Sequence, residues 1–370
     1  MQLIKSNKYY QFIIWSLITS AILLTNEYFS LEEVFKNGAV DGKVYFSISQ
    51  YAPGIAENLI GHKAWRFFYP YLIGVINKTI NFDIFLFYQL SVILIIFNII
   101  YILNNKFFSQ KFFENFIFIC CIIFNPYFFR YFISLPLLIN DLIFIYGTIY
   151  LVFFLKKNKF KHLIIAIIIV SFARQESIFI LMTILLCKII YRKHSLFDYK
   201  QILILSVISG IIFYINTYYS MNTSSLKFVD AYSDGGRMGI LNFTYSFTEF
   251  VKFLFYFIFP FSLIIILVIF NYKKIIKNFK SKFKEEKIVF ILILSALVLA
   301  PAIVAGPEIS GKNILRLTNL PMMLIVYLVS LLTEKIKTNR VFVFIFFGAI
   351  FILLQHPKYS QSNLFNFLIN

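Results

Sequence analysis

The sequence predicts an all-α polytopic membrane protein with about eleven transmembrane helices, and three observations carry that reading. Hydrophobic residues fill 60% of the 370 positions, only 14% are charged, and the mean hydropathy is +0.79. Soluble globular domains carry about a quarter charged residues. Apolar windows of roughly 18 residues or more recur along the whole chain, long enough to cross the hydrocarbon core. The lysines gather in short hydrophilic gaps between those windows, which is how cytoplasmic loops are marked. No soluble domain interrupts the pattern, so residues 1–370 read as a single membrane domain. It divides into a first outer loop (26–83), core spans (84–190) and further spans (201–354).

Taken in order, the first apolar run, Tyr9 to Thr25, follows Lys5 and Lys8. No small-residue cleavage pattern follows it, so it reads as a signal anchor. Further spans are expected near 84–103, 115–130, 137–155, 162–174, 177–190, 201–219, 250–270, 288–305, 317–333 and 341–354. The basic gaps at Lys156 to Lys161, Arg192-Lys193, Lys273 to Lys287 and Lys335 to Arg340 then all fall inside, with the N-terminus inside and the C-terminus outside. The net charge of +18 would suggest nucleic acid in a soluble chain. Here it is a topology signal beside anionic membrane lipid, and no nucleic-acid partner is expected. Cys120, Cys121 and Cys187 all lie within apolar spans, which leaves neither a disulfide framework nor a metal site. The excess of Ile, Lys, Asn, Phe and Tyr over Ala, Gly and Arg points to AT-rich codons, hence a low-GC bacterium and its cytoplasmic membrane.

Two stretches need separate treatment. In the first outer loop, Asp41 opens an amphipathic segment with Tyr45, Ile48 and Tyr51 at helical spacing, and Arg66-Phe67-Phe68-Tyr69-Pro70 opens a second. The second, over 66–80, is short and ends in charge at Arg66 and Lys78, so it is expected to lie on the membrane surface as a juxtamembrane helix. Between 162 and 190, Arg174-Gln175-Glu176 breaks an apolar run. One continuous helix would bury two charges at the bilayer centre, at roughly 2.5–3.5 kcal/mol each. Two short spans turning at Arg174–Glu176 avoid that. At 1.5 Å per residue each reaches only about 20 Å, so the turn sits below the surface, in protein or a water-filled cavity.

The polar residues expected on the outer side are Asp41, Arg66, Asp141, Arg174, Glu176, Glu308 and Arg316. A carboxylate can take a proton from a sugar hydroxyl, and guanidinium groups can hold a lipid phosphate leaving group. Each residue also has a structural reading. Asp41 and Asp141 suit helix caps, Arg66 suits an interfacial anchor, Arg174 and Glu176 can neutralise each other at a turn, and Glu308 and Arg316 can pair within a loop. Asp234-Gly235-Gly236-Arg237 is a common turn sequence, and His62, His162, His194 and His356 are too scattered for a metal site.

The order of these motifs resembles the GT-C superfamily of integral-membrane glycosyltransferases, which includes dolichol-phosphate-mannose mannosyltransferases and bacterial enzymes using polyprenyl-phosphate sugars. The matching pieces are Asp41-Gly42-Lys43-Val44-Tyr45, then Arg66-Phe67-Phe68-Tyr69-Pro70-Tyr71-Leu72, Asn125-Pro126, Asp141, Ala173-Arg174-Gln175-Glu176-Ser177, and a late Glu308, Arg316 and Pro321. The resemblance implies inverting sugar transfer on the outer (periplasmic or extracellular) face. The donor would be a polyprenyl-phosphate-linked sugar. The acceptor would be a lipid-linked glycan, lipopolysaccharide or protein. It implies Asp41 as general base and Arg174, with Arg66 or Arg316, on the donor phosphate. It further implies Asp141, Glu176, Tyr45 and Glu308 around the substrate. A single acid stands at the Asp41 position where many relatives carry two, which argues against a bound divalent metal, and Gln175 separates an Arg–Glu pair that is commonly adjacent; no cofactor is expected and no metal is indicated. Two alternatives remain open: an O-antigen or capsule polymerase, and a transporter or flippase of lipid-linked saccharides.

Overall fold

The computed structural model describes residues 8–24, 26, 28–36, 40–103, 118, 121–122, 125, 128–155, 159–192, 195–223, 247–304 and 314–333. Among them every regular element is helical. The chain runs α1 (Lys8–Leu24), α2 (Leu31–Lys36), α3 (Val40–Tyr51), α4 (Gly61–Ala64), α5 (Phe68–Ile80) and α6 (Ile84–Ile102). It continues with α7 (Phe129–Ser134), α8 (Ile139–Phe153), α9 (Phe160–Ala173), α10 (Ile178–Tyr191) and α11 (Tyr199–Thr223). The last described elements are α12 (Phe247–Ile258), α13 (Ser262–Lys282), α14 (Glu286–Val304), α15 (Ile314–Asn319) and α16 (Met322–Thr333). Four helical stretches among the described residues are long and apolar enough to cross a membrane: 84–102, 136–153, 199–223 and 286–303. The protein is therefore a helical membrane protein. The expected 341–354 span and most of the 115–130 span lie outside the described residues.

At two of the expected spans a proline interrupts the helix. The span expected over 250–270 is broken by a 3-10 turn at Phe259–Phe261 around Pro260, and α13 then starts afresh. The span expected over 317–333 splits at Leu320–Pro321 into the short α15 and the apolar α16. That break detaches Arg316 from the bundle helix behind it. The expected turn between 162–174 and 177–190 is present. α9 ends at Ala173, Arg174 is extended, and a single 3-10 turn at Gln175–Ser177 leads into α10.

α8 is the central post, with 83% of its apolar window buried against 28% for α6. It packs on α9, where a Cβ on Gly147 would meet Val170 Cγ1 at 2.5 Å, so the two helices approach at glycine distance. The first outer loop forms a compact platform at one end of this bundle. α3 lies on α5 so closely that a Cβ on Gly74 would overlap the Ser49 carbonyl and come within 2.8 Å of Ala52 Cβ. The Ser49 hydroxyl donates to the Pro70 carbonyl at 2.7 Å and lies 2.6 Å from the Tyr88 hydroxyl, which ties α3 and α5 to α6. The buried face of α3 carries Tyr45 and Ile48, with Ala52 buried just beyond its end; Tyr51, expected on that face, is 59% exposed. A second apolar cluster joins Val44, Tyr45, Ile48, Leu59 and Phe67 to Tyr219 near the end of α11, with the Phe67 and Tyr219 rings stacked at 3.8 Å.

The opposite end of the bundle brings the basic 273–287 stretch beside Ser195–Leu196 and the end of α16. Glu286 at the start of α14 accepts from Ser195 Oγ at 2.7 Å and from the Leu196 backbone N–H. Asn278 and Lys282 on α13 donate to the Leu332 and Leu331 carbonyls at the end of α16. The described parts of two stretches that the lysine pattern assigns to one side of a membrane thus meet in space.

Candidate functional site

Five separate stretches converge at the platform end. Asp41 stands in the first turn of α3, and Asp141 in the first turn of α8. Arg174 precedes and Glu176 lies within the 3-10 turn between α9 and α10, and Arg316 projects from α15. Arg66 follows α4, in the turn that leads to α5. α5 is docked there by its own aromatic start. Phe68 stacks on Phe172 at 3.9 Å, and Tyr69 Oη donates to the Ile169 carbonyl at 2.9 Å. Asn140 Nδ2 donates to the Arg66 carbonyl at 2.9 Å, fixing the backbone from which that guanidinium extends.

The charges form one continuous network. Arg316 is held between two acids: Nη1 donates to Asp41 Oδ2, Nε to Asp141 Oδ2, and Nη2 to Asp141 Oδ1 at 3.1 Å. Arg174 Nη1 donates to the same Asp141, while Nε reaches Glu176 Oε2 at 3.0 Å. Arg66 donates to Gln175 Oε1 at 3.3 and 3.1 Å and to Tyr45 Oη at 3.4 Å, and its Nη1 lies 3.6 Å from Asp41 Oδ2. Lys63 Nζ completes the set, 3.1 Å from Asp41 Oδ1. Four cations thus face three carboxylates, and the cluster carries one excess positive charge.

Burial is graded across the network. The Asp141 and Arg174 side chains are 0% and 2% exposed, whereas those of Asp41, Lys63, Glu176 and Arg66 retain 15, 14, 13 and 11%. The Asp141–Arg174 pair is therefore the sealed floor, and Asp41 and Lys63 form the accessible rim. Burial alone pushes the Asp41 carboxyl upward, but the charges of Arg316, Arg66 and Lys63 outweigh it and hold the carboxyl far below the usual range. Burial also opposes ionisation of Glu176, and Arg174 and Arg66 outweigh it, leaving its carboxyl pushed down to about 2.

The structural readings of single residues are partly right. Asp41 and Asp141 do stand in first helical turns, where a carboxylate suits the helix dipole. Arg66, read as a possible interfacial anchor, instead points into the cluster. Arg316, read as a possible loop partner of Glu308, bridges Asp41 and Asp141; Glu308 and the Asp234–Arg237 turn lie outside the described residues. Tyr45, expected around the substrate, is fully enclosed and holds Arg66 by accepting its hydrogen bond. Asn125 is bonded to the Pro260 carbonyl at 2.8 Å and serves to link segments.

Sequence reasoning missed Lys63 and the role of Gln175. Lys63 lies three residues before Arg66, a spacing that brings both to one side of a helical turn, and this was the available signal. Tyr131 was missed as well. It lies within the fields of Arg316, Asp141, Asp41 and Arg174, and burial pushes its phenol up. Among the described residues no three His, Cys, Asp or Glu side chains gather in a way that would hold a metal ion. No protein-family model, curated protein or solved structure matches the chain.

Proposed function

We propose that the chain is an inverting glycosyltransferase of a bacterial cytoplasmic membrane, transferring a sugar from a polyprenyl-phosphate donor to an acceptor at the outer face. The observation that carries this reading is the meeting of Asp41, Arg66, Asp141, Arg174, Glu176 and Arg316 in one network at one end of an apolar bundle. A transporter would distribute charge along a path to both faces. Here, among the described residues, the buried ion pairs concentrate at a single end, beside helices of only 14 residues. At 1.5 Å per residue, α9 and α10 reach about 21 Å against a hydrocarbon core of about 30 Å. A cluster recessed to that depth lies below the headgroup plane, so a donor whose tail stays in the bilayer would draw its phosphate down into the protein to meet it.

In the proposed step the acceptor hydroxyl gives its proton to Asp41 while its oxygen attacks the anomeric carbon. The bond from that carbon to the phosphate oxygen breaks, its electron pair leaves with polyprenyl phosphate, and configuration inverts. Arg316 and Arg174 would stabilise the leaving phosphate through charge-assisted hydrogen bonds. Asp141 and Glu176 hold those guanidiniums in place.

The ion pairs impose a condition on this chemistry. A carboxylate held so far below its usual range is a poor proton acceptor. Arg316 and Arg66 must therefore shift from Asp41 to the donor phosphate before transfer. Donor binding would then raise the basicity of Asp41, and the base becomes competent when the substrate arrives. Asp41→Asn tests the reading. It removes the base with little change in volume, and transfer is expected to fall by about 10²–10⁴-fold while polyprenyl-phosphate donor binding persists. Wild-type glycan in cells carrying Asp41→Asn would end it.

A further inference from the structure

A cavity of about 570 Å³ opens between α10 and α11 at the basic end of the bundle, remote from the charge network. Its lining residues are Leu185, Lys188, Ile189, Arg192, Tyr199 and Ile202. The size is that of a ligand site. Lys188 lies in the last turn of α10, Arg192 follows its last residue, and both line the cavity. Two like charges lining one cavity repel. Among the described residues neither forms an ion pair; Glu286, close by on α14, is occupied with Ser195 and Leu196. Lys188 Nζ instead lies 4.5 Å from the ring centroid of Tyr199.

Two further observations mark the place. Arg192 has φ 45°, in the left-handed region that a residue with a side chain rarely adopts, and it ends α10 there. The walls are apolar and outward-facing. Leu185 and Ile189 are 46% and 69% exposed, continuing the stripe of Ile178 and Met182 along the lipid side of α10. A soluble anion would satisfy the two cations but leave those walls uncovered.

We infer that this cavity binds one anionic phospholipid. Its phosphate sits between Lys188 and Arg192, its glycerol backbone lies against Tyr199, and an acyl chain runs along Leu185, Ile189 and Ile202. Charge complementarity selects the headgroup, and continuity with the lipid-facing stripe selects a membrane lipid over a free anion. The assignment stands independently of the sugar-transfer reading, because none of these residues belongs to the charge network.

The test uses the full chain in nanodiscs of phosphatidylcholine with or without phosphatidylglycerol. Retained lipid is read by native mass spectrometry and stability by the thermal midpoint. Wild type is expected to retain one phosphatidylglycerol and to gain stability from it. Lys188→Gln with Arg192→Gln should weaken that retention about thirtyfold. Leu185→Trp, which fills the cavity and leaves both cations, should weaken it as well. Lys280→Gln, on α13, should not. Equal retention of the two lipids by wild type, unchanged retention by the double variant, or full stabilisation by inorganic phosphate alone would each overturn the assignment.

Discussion

Asp141 is the residue on which the charge network turns, because its two oxygens receive both Arg174 and Arg316 inside the protein. Removing one partner of a buried pair leaves an uncompensated charge and costs about 3–5 kcal/mol. Asp141→Ala is accordingly expected to lower the thermal midpoint steeply and reduce accumulation in the membrane, with Asp141→Asn intermediate. Equal midpoints for Asp141→Ala and wild type would show that the pairs contribute little. The rim acids set the pH response. Asp41 and Glu176 both titrate lower in the folded chain than their unfolded values of about 4. Each therefore adds stability that is fully present above that value and is lost as pH falls towards the folded value. Unfolding midpoints measured in detergent should be level from about pH 8 to 5 and decline below about pH 4. A midpoint that rises on acidification would contradict this pairing. Of these residues, Asp41, Asp141, Arg174 and Arg316 stood out in the sequence because charge is rare there. Lys63 did not, since a lysine in a polar loop looks like any other until its partner is known.

At the scale of elements, the contact between α3 and α5 positions Asp41. Gly74 lets the Ser49 carbonyl approach, and the Ser49–Pro70 hydrogen bond then fixes the register. Gly74→Ala should cost about 1–3 kcal/mol through overpacking and displace α3. The expected outcome is a lower thermal midpoint together with reduced transfer, measured in the same preparation; unchanged transfer would separate Asp41 from this contact. The helices over 40–51 and 68–80 and the turn at Arg174 were legible from apolar spacing and from charge inside an apolar run. The breaks at Pro260 and Pro321 were legible in principle but lost within long hydrophobic windows. Hydropathy integrates over about 19 residues, whereas a proline ends a helix at one.

For the whole molecule, the two ends have different chemistry. One carries the ion-pair network under the platform of α3 to α5, and the other joins the lysine-rich 273–287 stretch to Ser195 and the end of α16. The proposed topology places them on opposite sides of the membrane. In a chain freed of its own cysteines, Glu32→Cys should react with a membrane-impermeant maleimide in intact cells. Lys159→Cys should react only after permeabilisation. Labelling of both from outside would exclude the orientation on which sugar transfer depends.

Composition, apolar windows and the placement of lysines were enough to determine a helical membrane protein and to single out the few charges set beside or between its apolar runs. Those signals are local, since each window reports its own free energy of transfer into hydrocarbon. Which charges share a site is a different quantity, set by how helices far apart in the chain pack. Arg316 meets Asp41 across 275 residues, because α15 and α3 converge at the same end of α8. The tertiary structure alone decided that pairing, and with it the enclosure of Tyr45, the recruitment of Lys63 and the cavity between α10 and α11.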